Sequence, residues 1–179
     1  MRNYIRDKTK GGCYFLTFNL QDRQSQLLTT HINEFRQAFK KTKQHQSFEL
    51  NAMVVLPDHV HLLITLADDN DNYANIVANL KANFSRQIPK LESENISPSR
   101  ADKKERGLWQ RRFWEHRIRD DNDYKQHVDY IHYNPVKHGY CSQPTEWKYS
   151  TIHKFISDGL YPKGWSYSDI DDRFTLYHD

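Results

Sequence analysis

The sequence predicts an α+β domain built on a ferredoxin-like antiparallel sheet, with its helices on one face. Three observations carry that prediction. Apolar residues alternate along three short runs, 13–20, 48–56 and 59–66. Two longer stretches, 29–44 and 73–88, repeat apolar residues at helical spacing. The resulting order, completed by a short extended run at 113–119, is strand, helix, strand, strand, helix, strand, the split βαβ pattern.

Each element has its own local reason. Gly11-Gly12 is a turn signal, after which Tyr14, Leu16, Phe18 and Leu20 alternate with Cys13, Phe15, Thr17 and Asn19. Thr29 or Thr30 is a cap for a helix in which Ile32, Phe35 and Phe39 share a stripe. In 48–56 the apolar face reads Phe48, Leu50, Ala52, Val54 and Leu56, with Glu49, Asn51, Met53 and Val55 opposite. Pro57-Asp58 then turns the chain into 59–66, so these two strands form a hairpin. Ile76, Val77, Leu80, Phe84 and Ile88 mark the second helix. Residues 89–107 lack any period and read as a long mobile loop. Asp120 to Asp123 can start a third helix, expected to run to about Asn134, and a short helix should span 150–159. One domain, 1–159, is therefore followed by an acidic, aromatic tail, 160–179.

At 179 residues the chain can bury a real core, and its 4 Trp, 11 Tyr and 9 Phe suit a surface that stacks on flat ligands. No apolar run approaches the ~20 residues of a membrane span, and the first residues lack an apolar leader core, so a cytoplasmic protein is expected. Two cysteines, Cys13 and Cys141, are too few for a disulfide framework. The net charge of +3 is unevenly spread: residues 86–119 hold ten basic side chains against five acidic ones. Such a cluster is either a solvated face or a strip that contacts phosphates.

Two stretches bear chemistry. In Asp58-His59-Val60-His61 a strand sends both imidazoles to one face, which is half of a metal site. A bare His-x-His also arises as a packed or solvated pair. In Tyr130-Ile131-His132-Tyr133-Asn134-Pro135 a helix would set Tyr130 and Asn134 one turn apart on one face. Facing the imidazoles, they would supply a nucleophile and an amide ligand; the alternative is a packed tyrosine with its hydroxyl satisfied. Pro135 disfavours helical angles at Asn134, which should therefore end the helix or cap a second one that begins at Pro135.

Taken with Gly11-Gly12, with 25–30, with 51–61, with Trp109-Gln110-Arg111-Arg112-Phe113-Trp114-Glu115-His116 and with 127–139, these residues resemble the REP-associated tyrosine transposases. That is a bacterial branch of the HUH single-strand transposases, and the resemblance covers nearly the whole chain. It implies that His59 and His61 are the histidine pair, Tyr130 the nucleophile and Asn134 the third metal ligand. It implies single-stranded DNA carrying a REP-type hairpin as substrate, a monomer, and a site on the sheet completed by a C-terminal helix. Two imidazoles and an amide oxygen with open positions suit magnesium or manganese. Attack by Tyr130 would then leave a 5′-phosphotyrosine and a free 3′-hydroxyl. His127, one turn before Tyr130, is either a proton partner or a solvated side chain. Arg111, Arg112, Arg117 and Arg119, interleaved with Trp109, Phe113 and Trp114, become candidate DNA contacts, joined by Lys8, Lys10 and Arg86; Trp109 and Trp114 are either stacking partners for unpaired bases or core residues. The tail is expected to fold over this strip and regulate access. The alternatives are a catalytically idle REP hairpin-binding protein and another HUH endonuclease of the rolling-circle initiator type.

Overall fold

The structure, a computed structural model, describes residues 7–92, 94 and 96–166. Its centre is a four-stranded sheet of β1 (Cys13–Asn19), β2 (Phe48–Val55), β3 (His59–Leu66) and β4 (Trp114–Arg117). The strand order is β2-β3-β1-β4 and every pairing is antiparallel. This is the expected ferredoxin-like sheet. One face is covered by α2 (Ile32–His45) and α3 (Tyr73–Gln87), the other by α5 (Asp121–Lys137). Short helices α1 (Leu27–Thr30), α4 (Pro98–Ala101) and α6 (Ile152–Ser157) lie in the connections.

Pleat and period explain the two layers. Tyr14, Leu16 and Phe18 of β1 and Val60, Leu62 and Ile64 of β3 meet Phe35 and Ala38 of α2 and Ile76, Leu80 and Phe84 of α3 in one core. Phe15 and Leu63 point the other way and meet Val128 and Ile131 of α5. Burying a large apolar side chain contributes ~1.5–3 kcal/mol, so these two layers fix the sheet between its helices.

β2 departs from the expected alternation. A bulge at Asn51 shifts the register, so that Leu50 pairs with Ile64 but Ala52 with Leu63. Phe48, Leu50, Met53 and Val55 therefore face α2 and α3, while Ala52, Val54 and Leu56 face α5. Met53 and Val55, expected on the mixed face, are thus on the main core side. Asn51 Oδ1 accepts a hydrogen bond from Thr65 Oγ1 at 2.9 Å, which holds the bulge in place.

Helix ends also differ from expectation. Neither Thr29 nor Thr30 caps the second helix; both lie in α1, and α2 starts after His31. Asp120 does cap α5, accepting from the backbone N–H of Asp123 at 2.8 Å. The main correction is at Pro135: α5 runs through it to Lys137. The helix ends beyond the proline by sealing its carbonyls. Tyr140 N–H donates to Pro135 O at 2.9 Å and Gly139 N–H to Val136 O at 2.9 Å, with Gly139 at φ +73°. That is a Schellman end, which favours glycine.

The segment 89–107, read as a loop, carries α4 and is pinned by Arg106, which donates to Ile88 O at 2.9 Å and pairs with Glu94. The start of the tail lies against α5: Tyr161 and Trp165 stack with centroids 4.5 Å apart, and Tyr161 hydrogen-bonds Asp129. Residues 167–179, most of the tail expected to cover the basic strip, lie outside the described residues.

Two outcomes follow from these contacts. His132 is fully buried, and Nε2 lies 2.9 Å from Thr151 Oγ1, which donates to Met53 O and accepts from Met53 N–H. The ring nitrogen facing Thr151 therefore carries the proton, and Nδ1 stays bare and without a hydrogen bond among the described residues. Burial, with the charge of His153 adding to it, lowers the pKa of His132 to about 3. An unfolded histidine takes up a proton near pH 6.5, so the unfolded state binds more protons below that pH. The contribution of His132 to stability is then fully present above pH 6.5 and is lost as pH falls toward 3. The loss is on the order of a few kcal/mol, since holding a group neutral costs about 1.4 kcal/mol for every pH unit below its unfolded pKa. Urea unfolding from pH 7 to 4 should show this slope, flattened in His132→Gln. Gly139→Ala places an L-residue in the left-handed region, and thermal melts should report a loss of about 1 kcal/mol.

Candidate active site

The two imidazoles are held before anything binds them. His59 and His61 leave β3 on the α5 side of the sheet, each 1 % exposed, with ring centroids 4.9 Å apart and planes at 84°. His59 Nδ1 lies 2.7 Å from Asp58 Oδ1, and Asp58 Oδ2 is 2.8 Å from Arg23 Nε. Burial alone would raise the Asp58 carboxyl; the hydrogen bond from His59 and the charge of Arg23 outweigh it and hold the group below its ordinary value. Asp58 is therefore an anion that accepts the Nδ1 proton and leaves the lone pair of His59 on Nε2. That Nε2 is buried and takes no hydrogen bond among the described residues. His61 Nδ1 lies 2.7 Å from Thr17 Oγ1, its cross-strand neighbour on β1; in the tautomer in which Nδ1 donates there, the lone pair falls on Nε2 as well. A carboxylate or hydroxyl behind a ring nitrogen is the arrangement that orients a histidine toward a metal.

α5 supplies the opposite wall. Tyr130, Asn134 and His138 recur every four residues and so share one side of this helix and its C-cap. The Tyr130 ring lies 5.3 Å from His61 and the His138 ring 5.1 Å from His59. Asn134, one turn from each and fully buried, is thereby set against the gap between the two imidazoles. Neither its Oδ1 nor its Nδ2 takes a hydrogen bond among the described residues. A buried amide left in this way is uncommon in folded proteins and marks a place for a ligand. His59 Nε2, His61 Nε2 and Asn134 Oδ1 are a donor set that fits a divalent cation.

The sequence-predicted residues separate into groups. His59, His61, Tyr130 and Asn134 come together. His127 does not join them and is not solvated: it is fully buried, stacked on His116 at 4.6 Å, and separated from Tyr130 by Phe15, whose ring touches both. Burial, the largest influence, drives its imidazole down to about 4. His116, Asp123 and His127 keep their ligand atoms within 4.8 Å of one another. The two rings, however, lie 15° from parallel, so their in-plane lone pairs run side by side. Asp123 instead joins β4 to α5, 2.8 Å from His116 Nε2 and 3.1 Å from His127 Nδ1.

The candidate DNA contacts are dispersed. Trp109 is 7 % exposed and packs on Phe18 and Phe84, so its ring belongs to the core. Trp114 is 55 % exposed, pairs with Thr17 on β4, and shares the face of the histidines. Arg112 and Arg119 are exposed as well. Arg111 pairs with Glu105 at 3.0 Å, Arg117 with Asp7 at 2.9 Å, and Arg86 reaches Asn83 at 3.4 Å. Arg117 pairs with Tyr14, on the pleat opposite the histidines, and Lys8 and Lys10 are exposed just before β1. Arg86, Trp109 and Arg111 line a cavity of about 590 Å³ between α3 and residues 100–113.

Sequence reasoning passed over four residues at this site. Asp58 was legible as a turn residue, not as the partner of His59. Thr17 comes from another strand and has no sequence signal. Lys137 and His138 lie beyond Pro135, where the helix was expected to have ended. Lys137 Nζ donates to Tyr130 Oη at 3.2 Å.

Known proteins resemble this chain over most of its length. The family described as IS200-like transposase matches residues 10–134. A Haemophilus influenzae chain whose name places it among the REP-associated tyrosine transposases is 52 % identical over 165 residues, 92 % of this chain and 93 % of that one. The REP-associated tyrosine transposase of Escherichia coli is 41 % identical over 172 residues, 96 % of this chain and 94 % of its own. A solved structure of a REP-associated tyrosine transposase bound to a REP hairpin superposes with a TM-score of 0.80 at 40 % identity, covering 96 % of this chain and 94 % of that one. No helix among the described residues is long and apolar enough to cross a membrane. With an IS200-like match over most of its length and REP-associated relatives over nearly all of it, the chain belongs to the REP-associated tyrosine transposases.

Proposed function

We propose that this protein is a metal-dependent single-stranded DNA endonuclease and strand transferase that acts on REP-type hairpins through a 5′-phosphotyrosine on Tyr130. One observation carries the reading. The Tyr130 ring stands 5.3 Å from His61, on the same helical face as an Asn134 whose buried amide lacks any hydrogen bond among the described residues. The hairpin as substrate is supported by the solved relative that holds one, at 40 % identity over nearly the whole chain.

The chain's own residues divide the work. Asp58 and Thr17 fix the two imidazoles; His59, His61 and Asn134 would hold a divalent cation, magnesium or manganese. Bound there, such an ion supplies positive charge to the scissile phosphate and orients it for in-line displacement. Tyr130 Oη forms a bond to phosphorus as the bond from phosphorus to the 3′ oxygen breaks. The phenol gives up its proton to solvent and the 3′ oxygen takes one up, leaving a 5′-phosphotyrosine and a free 3′-hydroxyl that can reverse the step. Trp114, exposed on the histidine face, offers a stacking surface for an unpaired base, and Arg112 and Arg119 offer charge to the backbone. Lys8, Lys10, Arg86 and Arg111 are the candidates for outlying phosphates, and Arg117 for one that displaces Asp7.

The direct test is incubation of labelled single-stranded REP hairpin with the protein and magnesium or manganese. A covalent adduct is expected from the wild type, and hairpin binding without an adduct from Tyr130→Phe. Binding without cleavage by the wild type under either ion would instead identify an idle hairpin-binding protein. The orienting role of Asp58 has a separate readout. Manganese titrated into DNA-free Asp58→Asn should bind roughly 10–100-fold more weakly than into the wild type, because the ring of His59 loses its anionic anchor.

A further inference from the structure

We infer that Lys137 is a catalytic residue of this site: its ammonium group holds the Tyr130 hydroxyl and supplies the positive charge that the attacking oxygen needs. This rests on the reading of Tyr130 as the nucleophile and goes beyond it by naming a second group on the reacting atom.

The geometry is specific. Lys137 Nζ donates to Tyr130 Oη at 3.2 Å and stands 4.9 Å from the centroid of the same ring. The ammonium group is therefore set at the hydroxyl end of the ring. Tyr130 and Lys137 are seven residues apart, two helical turns, with Asn134 between them on the same side. The placement exists because α5 continues across Pro135; a helix ending at Asn134 would leave Lys137 in a loop with no fixed relation to the hydroxyl. The end at Gly139 then closes the helix just after Lys137.

An ammonium at this position does what the imidazoles and the amide cannot. Those three groups face a cation site and carry no positive charge when neutral. The hydrogen bond from Lys137 occupies one lone pair of Oη and limits rotation about the C–O bond, so the other lone pair has a fixed direction. As the bond from Oη to phosphorus forms, the phenol proton leaves to solvent and the bond to the 3′ oxygen breaks; negative charge passes through Oη and the phosphoryl oxygens next to it. A fixed cation there stabilises that charge without reorganising at the moment of reaction. On rejoining, the 3′-hydroxyl attacks phosphorus, Oη leaves, and the same ammonium receives the charge of the departing phenolate. Lys137 keeps its own protons in both directions. It is exposed at the last turn of the helix, so its removal leaves the core intact.

The test compares wild type, Lys137→Gln and Lys137→Arg on a REP hairpin with manganese under single-turnover conditions, with hairpin affinity and melting midpoint measured on the same samples. Lys137→Gln should cleave about 100-fold more slowly and rejoin a pre-cut strand more slowly too, with affinity within about threefold and an unchanged midpoint. Lys137→Arg, which keeps the charge, should recover most of the rate. A Lys137→Gln rate within about threefold of wild type overturns the inference while leaving Tyr130 as nucleophile. A loss that appears wholly in affinity, or together with a lowered midpoint, overturns it as well. Failure of the wild type itself to cleave is a different outcome, which defeats the nuclease reading before any variant is compared.

Discussion

An unbroken helix across Pro135 is what sets Tyr130, Asn134, Lys137 and His138 on one side of α5. A proline inside a helix removes one backbone hydrogen bond and crowds the carbonyl four residues before it, at a cost of ~3 kcal/mol. Packing on both sides of α5 offsets it. On the sheet side Val128 and Ile131 sit against Phe15, Ala52, Val54 and Leu63. On the outer side Asp129 is tied to Tyr161 and to Lys125, and His132 packs against Phe155, Tyr161 and Trp165. The bulge at Asn51 belongs to the same constraint, because it turns the small Ala52 and Val54 toward α5 and lets the helix approach β3. Asn134 is thereby buried with its amide unspent.

The sheet contributes stiffness of a different kind. His59 and His61 are central-strand residues, and each has its outer nitrogen engaged, one by an anion that is itself paired with Arg23 and one by a hydroxyl across the strand pair. Their inner nitrogens are thus set before any ligand arrives, and little ordering remains for binding to do. The His116–Asp123–His127 cluster belongs to this frame. It fastens edge strand β4 to the first turns of α5, behind the Phe15 ring that backs both Tyr130 and His61.

Much of this was legible in the sequence, and the reasons for the rest are physical. Alternation located three strands and helical period two long helices, because one-sided burial writes those periods directly; β4 was legible only as a short extended run and α5 from its helix-start residues. The histidine pair, Tyr130 and Asn134 were singled out by their local spacing, which left packed alternatives open; only the family resemblance of the surrounding stretches assigned them roles. The face of β2 was misread after Asn51, since a bulge is decided by pairing with β3 and leaves no mark in the alternation itself. The end of α5 was misplaced because proline is a statistical breaker, and tertiary packing overrode it. That error hid Lys137 and His138. Thr17 and His116 depend on contacts distant in sequence, which no local pattern encodes; for Trp109 the sequence left stacking and core packing open, and its contacts with Phe18 and Phe84 decide for the core.

The proposed chemistry depends on Tyr130 being the residue of α5 that attacks beside the histidine pair. Mass mapping of the peptide that carries DNA after cleavage measures this directly. A nucleotide joined through its 5′-phosphate to Tyr130 is expected, with the other fragment ending in a 3′-hydroxyl. DNA attached to Tyr133, or joined to the protein through a 3′-phosphate, would contradict that chemistry.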